Sequence, residues 1–372
     1  MTSGCWRERD VACNLPNMKS SMAKIHVIEL QGTSRARGEM YGRTLRQPIT
    51  RAVEFYRAFF GKQLGLDLSE IRRRASRFIE PTSRLSRELI TEYEGIAAGS
   101  GQTLEDIFSL SARYEITFEE YELGECSNVF VAPDRSTTGH TLLGQSWDWR
   151  PEVMDFCVVI HSRCDDLPDH VMITECGQPG KYGVNEHGIG LVAAGLNCPE
   201  KASFGDQLFV ALGRAALQNS TIASAYETLQ RFAPRATVNV LVANATGNGA
   251  NFEYVPDTVV RRALRDGEIY WHTNHCREAD EPCTFENSLA RGQRWAELTA
   301  TSEPVSPESV QTWLADRQPG PHSICQLADL QQPDTPSRVQ TLSSVVLDLD
   351  ARTLWASDGP SSQAPYHRFS LK

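Results

Sequence analysis

At Cys126 the chain changes from helical to β texture, and that boundary constrains the fold more than any other feature of its 372 residues. From Ala52 to about Phe118, apolar residues recur at helical spacing with few β-branched runs. The stretch SRLSRELITEYEGIAAGSG from Ser83 puts Leu85, Leu89, Ile90 and Tyr93 on one face, with Gly99 as its expected C-terminal cap. A second helix is expected to open at Thr103, with Asp106 completing a weak capping box. After Cys126 come short β-rich runs: CSNVFVAP, HTLLGQSWDW, FCVVIHSRC, HVMITECG, YGV and GIGLVAAGLN. They read as an antiparallel meander whose joins, DRSTTG and NEHG, carry the Asp, Asn and Gly that tight turns need.

Two helices follow, over Phe204 to Gln218 and after a Thr221 cap. Strands resume at TVNVLVANA, NFEYV and EIYWHTNH. Helices over Glu286–Leu298 and Pro307–Asp316 precede a last pair, SSVVLDL and TLWAS. This alternation predicts an α+β chain with two packed antiparallel sheets and helices on the outer faces, a four-layer αββα arrangement. The expected organisation is a frayed extension over 1–24, a mostly helical segment over 25–125, and the αββα part over 126–372. Neither internal repeats nor low-complexity segments break it.

Composition narrows the function. A formal charge of −10 without a basic run argues against holding a nucleic acid backbone. The apolar stretches are too short to span a bilayer, and residues 1–24 lack the apolar core of a secretory signal, so no membrane partner and a cytoplasmic address are expected. Ten cysteines contain no C-x-x-C pair, which disfavours a structural zinc site; no metal or cofactor is expected, and free thiols are the default.

Cys126 begins the first strand of the β half. Taken alone it reads as a buried strand cysteine. If the Glu125–Cys126 bond were cut, its own α-amino group would serve as general base for the thiol. A set of strings in fixed order bears on this choice: LQGTSRARGEMYG from Leu30, EGIAAGSG from Glu94, ECSNVFV from Glu125, GQSWDW from Gly144, YGVNEHGIGL from Tyr182, WHTNHC from Trp271, HSIC from His322 and PSRVQTLSSVVLD from Pro336. Together they resemble the isopenicillin N acyltransferase (acyl-CoA:6-aminopenicillanate acyltransferase) family of self-processing cysteine enzymes, which includes hydrolases of β-alanyl amides and is related to bile-salt hydrolases and penicillin V acylases.

The resemblance implies the N-terminal-nucleophile form of the αββα fold, self-cleavage between Glu125 and Cys126, and α and β chains that stay associated. It places the nucleophile on Cys126, the carboxylate that orients the new amino group on Asp148, an oxyanion donor on Asn274, and a thiolate-favouring cation on Arg338. The alternatives from the residues alone are a hairpin Asp148 bonded to a turn, a strand-end Asn274, and an Arg338 paired with Asp334. A second oxyanion donor is expected from the AAG run at Ala193. His272 and His275 are set aside as support or pocket residues, because the α-amino group fills the role of an imidazole. Glu125 stands where the family has Gly, Ser127 where relatives often have Thr, and the FSLK terminus lacks a peroxisomal signal.

The expected activity is an N-acyltransferase working through a Cys126 thioester, with an amide or acyl-thioester donor such as acyl-CoA and an amine acceptor. An amidohydrolase of small N-acyl or β-alanyl amides is the alternative, and an unprocessed, non-catalytic binding protein is the second. Trp147, Trp149 and Trp271 beside the motifs suggest an apolar or aromatic acyl group.

Overall fold

The computed structural model describes residues 25–118, 126–200, 202–283, 285–329, 331 and 338–371. The expected extension 1–24, Glu125 of the expected cleavage bond, and Asp334 lie outside the described residues. Strand β1 (His26–Gly32) leads into helices α1 (Ser34–Thr44), α2 (Arg46–Leu64), α3 (Leu68–Ser76), α4 (Ile79–Leu85), α5 (Arg87–Ser100), α6 (Leu104–Ser111) and α7 (Arg113–Phe118). After Cys126 run β2 (Ser127–Val131), β3 (Leu142–Trp149), β4 (Cys157–Cys164), β5 (His170–Glu175), β6 (Tyr182–Asn185) and β7 (Ile189–Gly195). Helices α8 (Phe209–Ala216) and α9 (Ile222–Arg231) separate these from β8 (Val238–Asn244), β9 (Gly249–Tyr254), β10 (Val259–Ala263) and β11 (Ile269–His272). Helices α10 (Glu286–Thr299) and α11 (Pro307–Leu314) precede β12 (Gln340–Asp348), β13 (Thr353–Ser357) and β14 (Tyr366–Ser370).

One sheet has the order β1-β4-β5-β6-β7-β8-β9-β10 and the other β11-β2-β3-β12-β13-β14. The expected meander is therefore divided: β2 and β3 pair in one sheet, and the chain crosses to the other at β4. Strands β2 and β3 lie against β7, and β13 lies against β5 and β6, so the sheets face each other. Helix α8 covers the outer face at β7, where a Cβ on Gly213 would meet Leu191 at 3.3 Å. Helices α10 and α11 cover the other outer face, against β11 and against β3 and β12. This is the four-layer αββα arrangement that the order of the elements predicts. Strands covered on both sides have no reason to alternate polar with apolar residues. Every residue of β3, β5, β6, β7 and β9 is buried. Among the described residues, no helix is long and apolar enough to cross a membrane.

Turn chemistry works where it was expected. The hairpin from β6 to β7 closes on Gly188 at φ +72°, while Asn185 Oδ1 accepts from the backbone of His187 and Ile189. Thr103 caps α6 by accepting from Asp106 N at 3.2 Å. Gly99, expected as a cap, is inside α5, which ends at Gly101 with φ +75°.

The reason is a helix contact. Gly38 and Gly42 of α1 face Gly95 and Gly99 of α5, close enough that an added Cβ would collide with the partner's backbone at each position. A Cβ on Gly95 would sit 2.7 Å from Arg35 O, and one on Gly42 2.6 Å from Ser100 N. The strings RGEMYG and EGIAAG are thus the two faces of one close crossing, possible only without side chains.

The segment before Cys126 is also built into the core sheet. Strand β1, absent from the sequence expectation, pairs in parallel with β4 over seven residues and is the exception in an otherwise antiparallel sheet. Just after it, the buried Arg37 guanidinium donates to Gly32 O at 2.6 Å and to Asp166 Oδ1 at 2.8 Å, and faces Glu92 at 3.5 Å.

Gly42→Ala is expected to lower stability by about 1–3 kcal/mol through overpacking of the α1–α5 contact. Gly61→Ala, on an exposed turn of α2 where the nearest atom to a new Cβ is Leu66 O at 3.5 Å, is expected to be neutral or stabilising. Urea denaturation of both variants checks the contrast.

Candidate active site

The register of β2 on β3 sets Ser127 opposite Ser146, so Cys126, one residue before β2, comes beside Trp147 and Asp148. Cys126 Sγ lies 3.9 Å from the backbone oxygen of Asp148. The Asp148 carboxylate is fixed at Oδ1 by the hydroxyls of Ser146, at 2.7 Å, and Thr341, at 2.6 Å. Ser146 also donates to Ile324 O, and Thr341 Oγ1 accepts from Gln326 N, so the segment after α11 takes part in holding the carboxylate.

Asn274 follows β11 in a fully buried turn. Its Nδ2 donates to Gly195 O at 2.8 Å, and its backbone N–H donates to Ser288 Oγ of α10 at 2.8 Å. Its Oδ1 accepts from Arg291 Nη2 at 2.7 Å. The other terminal nitrogen of Arg291 donates to Cys126 O at 2.8 Å and to Ser127 Oγ at 3.0 Å, while Nε donates to Asn287 one turn back on α10. One buried guanidinium thereby joins the backbone of Cys126 to the side chain of Asn274.

Cys126 lines a small cavity of about 20 Å³ together with Arg113, Tyr114, Trp147, Asp148, Trp149, Lys181, Tyr182, Gly195 and Phe209. That is about the room for one water. Burial pushes the Cys126 thiol up to about 11 and the Asp148 charge adds to this, against the opposing pull of Lys181 and Arg291. Lys181 is 3% exposed, and its ammonium lies 4.3 Å from the Trp147 ring centre, 4.6 Å from Tyr182 and 5.6 Å from Phe209. Burial, aided by Arg113, pushes it down to about 7. Arg113 itself is paired with Glu175, which also accepts from Tyr56.

The structure brings Cys126, Asp148 and Asn274 together, and holds Arg338 elsewhere. Arg338 pairs with Glu152, which follows β3, and is not among the described residues lining the cavity. In this structure Arg338 contacts the Glu152 carboxylate, and the cations whose charge bears on the sulfur include Lys181 and Arg291. His272 is locked between Glu253 Oε1, at 2.7 Å, and Thr273 O. His275 contacts Ser288 and Thr273, and burial pushes it down to about 4. Neither lines the cavity. Trp147 and Trp149 do, whereas Trp271 lies under Arg277, 3.8 Å from the guanidinium carbon.

Residues 135–362 match the family described as acyl-coenzyme A:6-aminopenicillanic acid acyl-transferase. The chain belongs to this family. It is 24% identical over 328 residues to the acyl-coenzyme A:6-aminopenicillanic-acid-acyltransferase 40 kDa form of Emericella nidulans, across 86% of this chain and 89% of that protein. Among solved structures, penicillin V acylase from Agrobacterium tumefaciens is similar at 16% identity and a TM-score of 0.40, covering 66% of this chain and 86% of its own. The Caenorhabditis elegans N-acylethanolamine-hydrolyzing acid amidase ortholog is similar at 12% identity and a TM-score of 0.43, covering 66% and 100%.

Two site residues escaped the sequence reading. Arg291 left a trace: on α10, Asn287, Ser288, Arg291, Gly292 and Trp295 form the buried stripe, and an arginine inside such a stripe needs internal acceptors. Lys181 left only its setting, a lone lysine between glycines at the entry to YGVN.

Arg291→Met removes the donor from Cys126 O, Ser127 Oγ and Asn274 Oδ1 at once. The expected loss is about 1–3 kcal/mol for each buried acceptor left without a partner. Chemical denaturation, compared with Gln293→Met on the exposed side of the same helix, checks it.

Proposed function

We propose that this acyltransferase-family chain is a self-processing cysteine enzyme that moves an acyl group through a thioester on Cys126. The single observation that supports this reading most is the Arg291 bridge, which ties the Cys126 backbone and the Asn274 side chain to one guanidinium, with Asp148 beside Cys126 in the cavity and Asn274 bonded to its wall at Gly195.

In the maturation step, the Cys126 sulfur attacks the carbonyl carbon of Glu125; as the C–S bond forms, the C–N bond breaks and the Cys126 nitrogen takes up the thiol proton to become the free α-amino group, and water then hydrolyses the thioester, freeing the thiol and leaving Glu125 as a carboxylate. Glu125 in place of glycine makes this strain harder to reach, and it slows the step rather than removing it. In turnover, the α-amino group takes the thiol proton and the thiolate attacks the donor carbonyl. The Asp148 carboxylate, already oriented by Ser146 and Thr341, holds the α-ammonium toward the leaving group. Asn274 Nδ2 carries two hydrogens: one is committed to Gly195 O and the other serves the oxyanion. The leaving group departs with the ammonium proton, and an amine then takes the acyl group from sulfur.

An amide or acyl-thioester donor, acyl-CoA among them, and an amine acceptor follow from the family's description. The aromatic wall of Tyr114, Trp147, Tyr182 and Phe209 suits an apolar acyl group. Hydrolysis is the second reading, favoured by one observation: the cavity beside the sulfur has the size of a water. The cytoplasm is the proposed site of action.

N-terminal sequencing of the purified protein is expected to find a chain beginning Cys-Ser-Asn-Val, and Cys126→Ala is expected to abolish both that chain and turnover. Only the uncut chain in the wild type would overturn self-processing. Asn274→Ala in processed enzyme is expected to lower kcat by about 10²- to 10³-fold with little change in KM, because the lost donor acts on charge that develops in the transition state. His272→Ala is expected to cost far less. Intact-mass measurement after exposure to acyl-thioesters and amides, with and without amines, reads the acyl-enzyme and separates transfer from hydrolysis.

A further inference from the structure

A charge taken out of water is ordinarily accompanied by its opposite, since neither desolvation nor ring contacts compensate an isolated ion. Lys181 departs from that rule. It is 3% exposed, its ammonium rests on three ring faces, and among the described residues no carboxylate lies within ion-pair distance of it.

The acids nearby have other partners. Glu175 on β5 is held by Arg113 of α7 and by Tyr56. Asp148 on β3 receives the hydroxyls of Ser146 and Thr341. Glu115 of α7 accepts from Phe209 N at 2.8 Å, and burial pushes it up to about 7. Cys157 on β4 is buried, and its thiol is pushed well above the usual range. Tyr114 and Tyr182 are buried phenols pushed upward in the same way. Asp148 shares the cavity with Lys181 as a carboxylate but forms no ion pair with it, and the further group there that can become an anion for it is the sulfur of Cys126.

We propose that Lys181 is the counter-ion of the Cys126 thiolate, its ammonium held by the rings of Trp147, Tyr182 and Phe209 in the cavity that the sulfur lines. The proposal rests on the reading above only in taking that sulfur as the reacting atom. Burial holds both groups in their neutral forms when each is considered alone, the thiol up at about 11 and the amine down at about 7. Ionised together they form a neutral pair, so each lowers the cost of the other's charge. Arg291 also favours the thiolate, but its terminal nitrogens donate to Cys126 O, Ser127 Oγ and Asn274 Oδ1 and it does not line the cavity, whereas Lys181 does. Lys181 then supplies what the sequence reading sought from Arg338. It also acts before any free amino terminus exists, when the first attack by sulfur must already take place.

The test is the rate at which iodoacetamide alkylates Cys126 in the full-length chain between pH 5 and pH 10, read on the Cys126 peptide by mass spectrometry so that the other cysteines do not interfere. Lys181→Met is expected to lower alkylation of Cys126 at pH 7 by about tenfold or more, the effect of a shift of one pH unit in the thiol. Lys181→Arg is expected to restore most of it. Lys181→Met is expected to melt no lower than the wild type, because the Cys126 thiol left behind keeps its proton and stays neutral while the methionine keeps the ring contacts. An unchanged alkylation profile in Lys181→Met overturns the proposal. So does a profile equally impaired in the Met and Arg variants together with lowered melting of both, the result of a packing role. A shifted profile in a protein that forms no acyl-enzyme supports the counter-ion and overturns the proposed function instead.

Discussion

The site depends on one guanidinium. Arg291 reaches from α10 to the end of β2 and to the turn after β11, and each of its hydrogen bonds ends on a group that has no water to turn to. A lysine there could not divide itself between a backbone carbonyl, a hydroxyl and an amide oxygen, because only a planar fork presents donors in two fixed directions. Asn274 in turn is oriented by that fork. With Oδ1 given to Arg291, its nitrogen must point toward Gly195 and the cavity.

The two sheets contribute polar joints of their own where sheets usually meet through apolar side chains. Asn128 of β2 donates to Asn239 Oδ1 of β8 at 2.9 Å, and Gln145 of β3 donates to Ala193 O of β7. Both lie within a residue or two of the cavity's walls along their strands. Their directionality fixes the lateral position of one sheet on the other in a way that apolar contact alone does not. The strand that follows Cys126 and the strand carrying Gly195 are thus held in register across the interface.

Much of this was legible in the sequence because it is local. Cys126, Asp148 and Asn274 sit in strings whose strand and turn character could be read directly, and the hairpin from β2 to β3 brings the first two together without help from elsewhere. What could not be read depends on partners far along the chain. Arg338 follows its motif, yet its contact with Glu152 is one that no string near it reveals. Lys181 gains its meaning from rings contributed by β3, β6 and α8. Strand β1 was missed because its alternation is short, with only Ile28 and Leu30 buried between exposed Val27, Glu29 and Gln31, and because its parallel partner β4 lies far along the chain with no turn to announce the pairing. Gly99 was taken for a stop signal when its lack of a side chain serves the contact with α1.

That parallel pairing has a further consequence for a chain cut before Cys126. The seven-residue ladder of β1 on β4 and the buried pair of Arg113 with Glu175 make the two pieces one cooperative unit, so a cut leaves the native contacts as they were. What changes is the unfolded state. An intact chain refolds by closing a loop upon itself, at a rate independent of concentration, whereas two separated pieces must first meet in solution. Cleavage would therefore turn a reversible unimolecular transition into a concentration-dependent one. Heat inactivation of the cut protein would become harder to undo at the moment it becomes active, although not one hydrogen bond in its core had been lost.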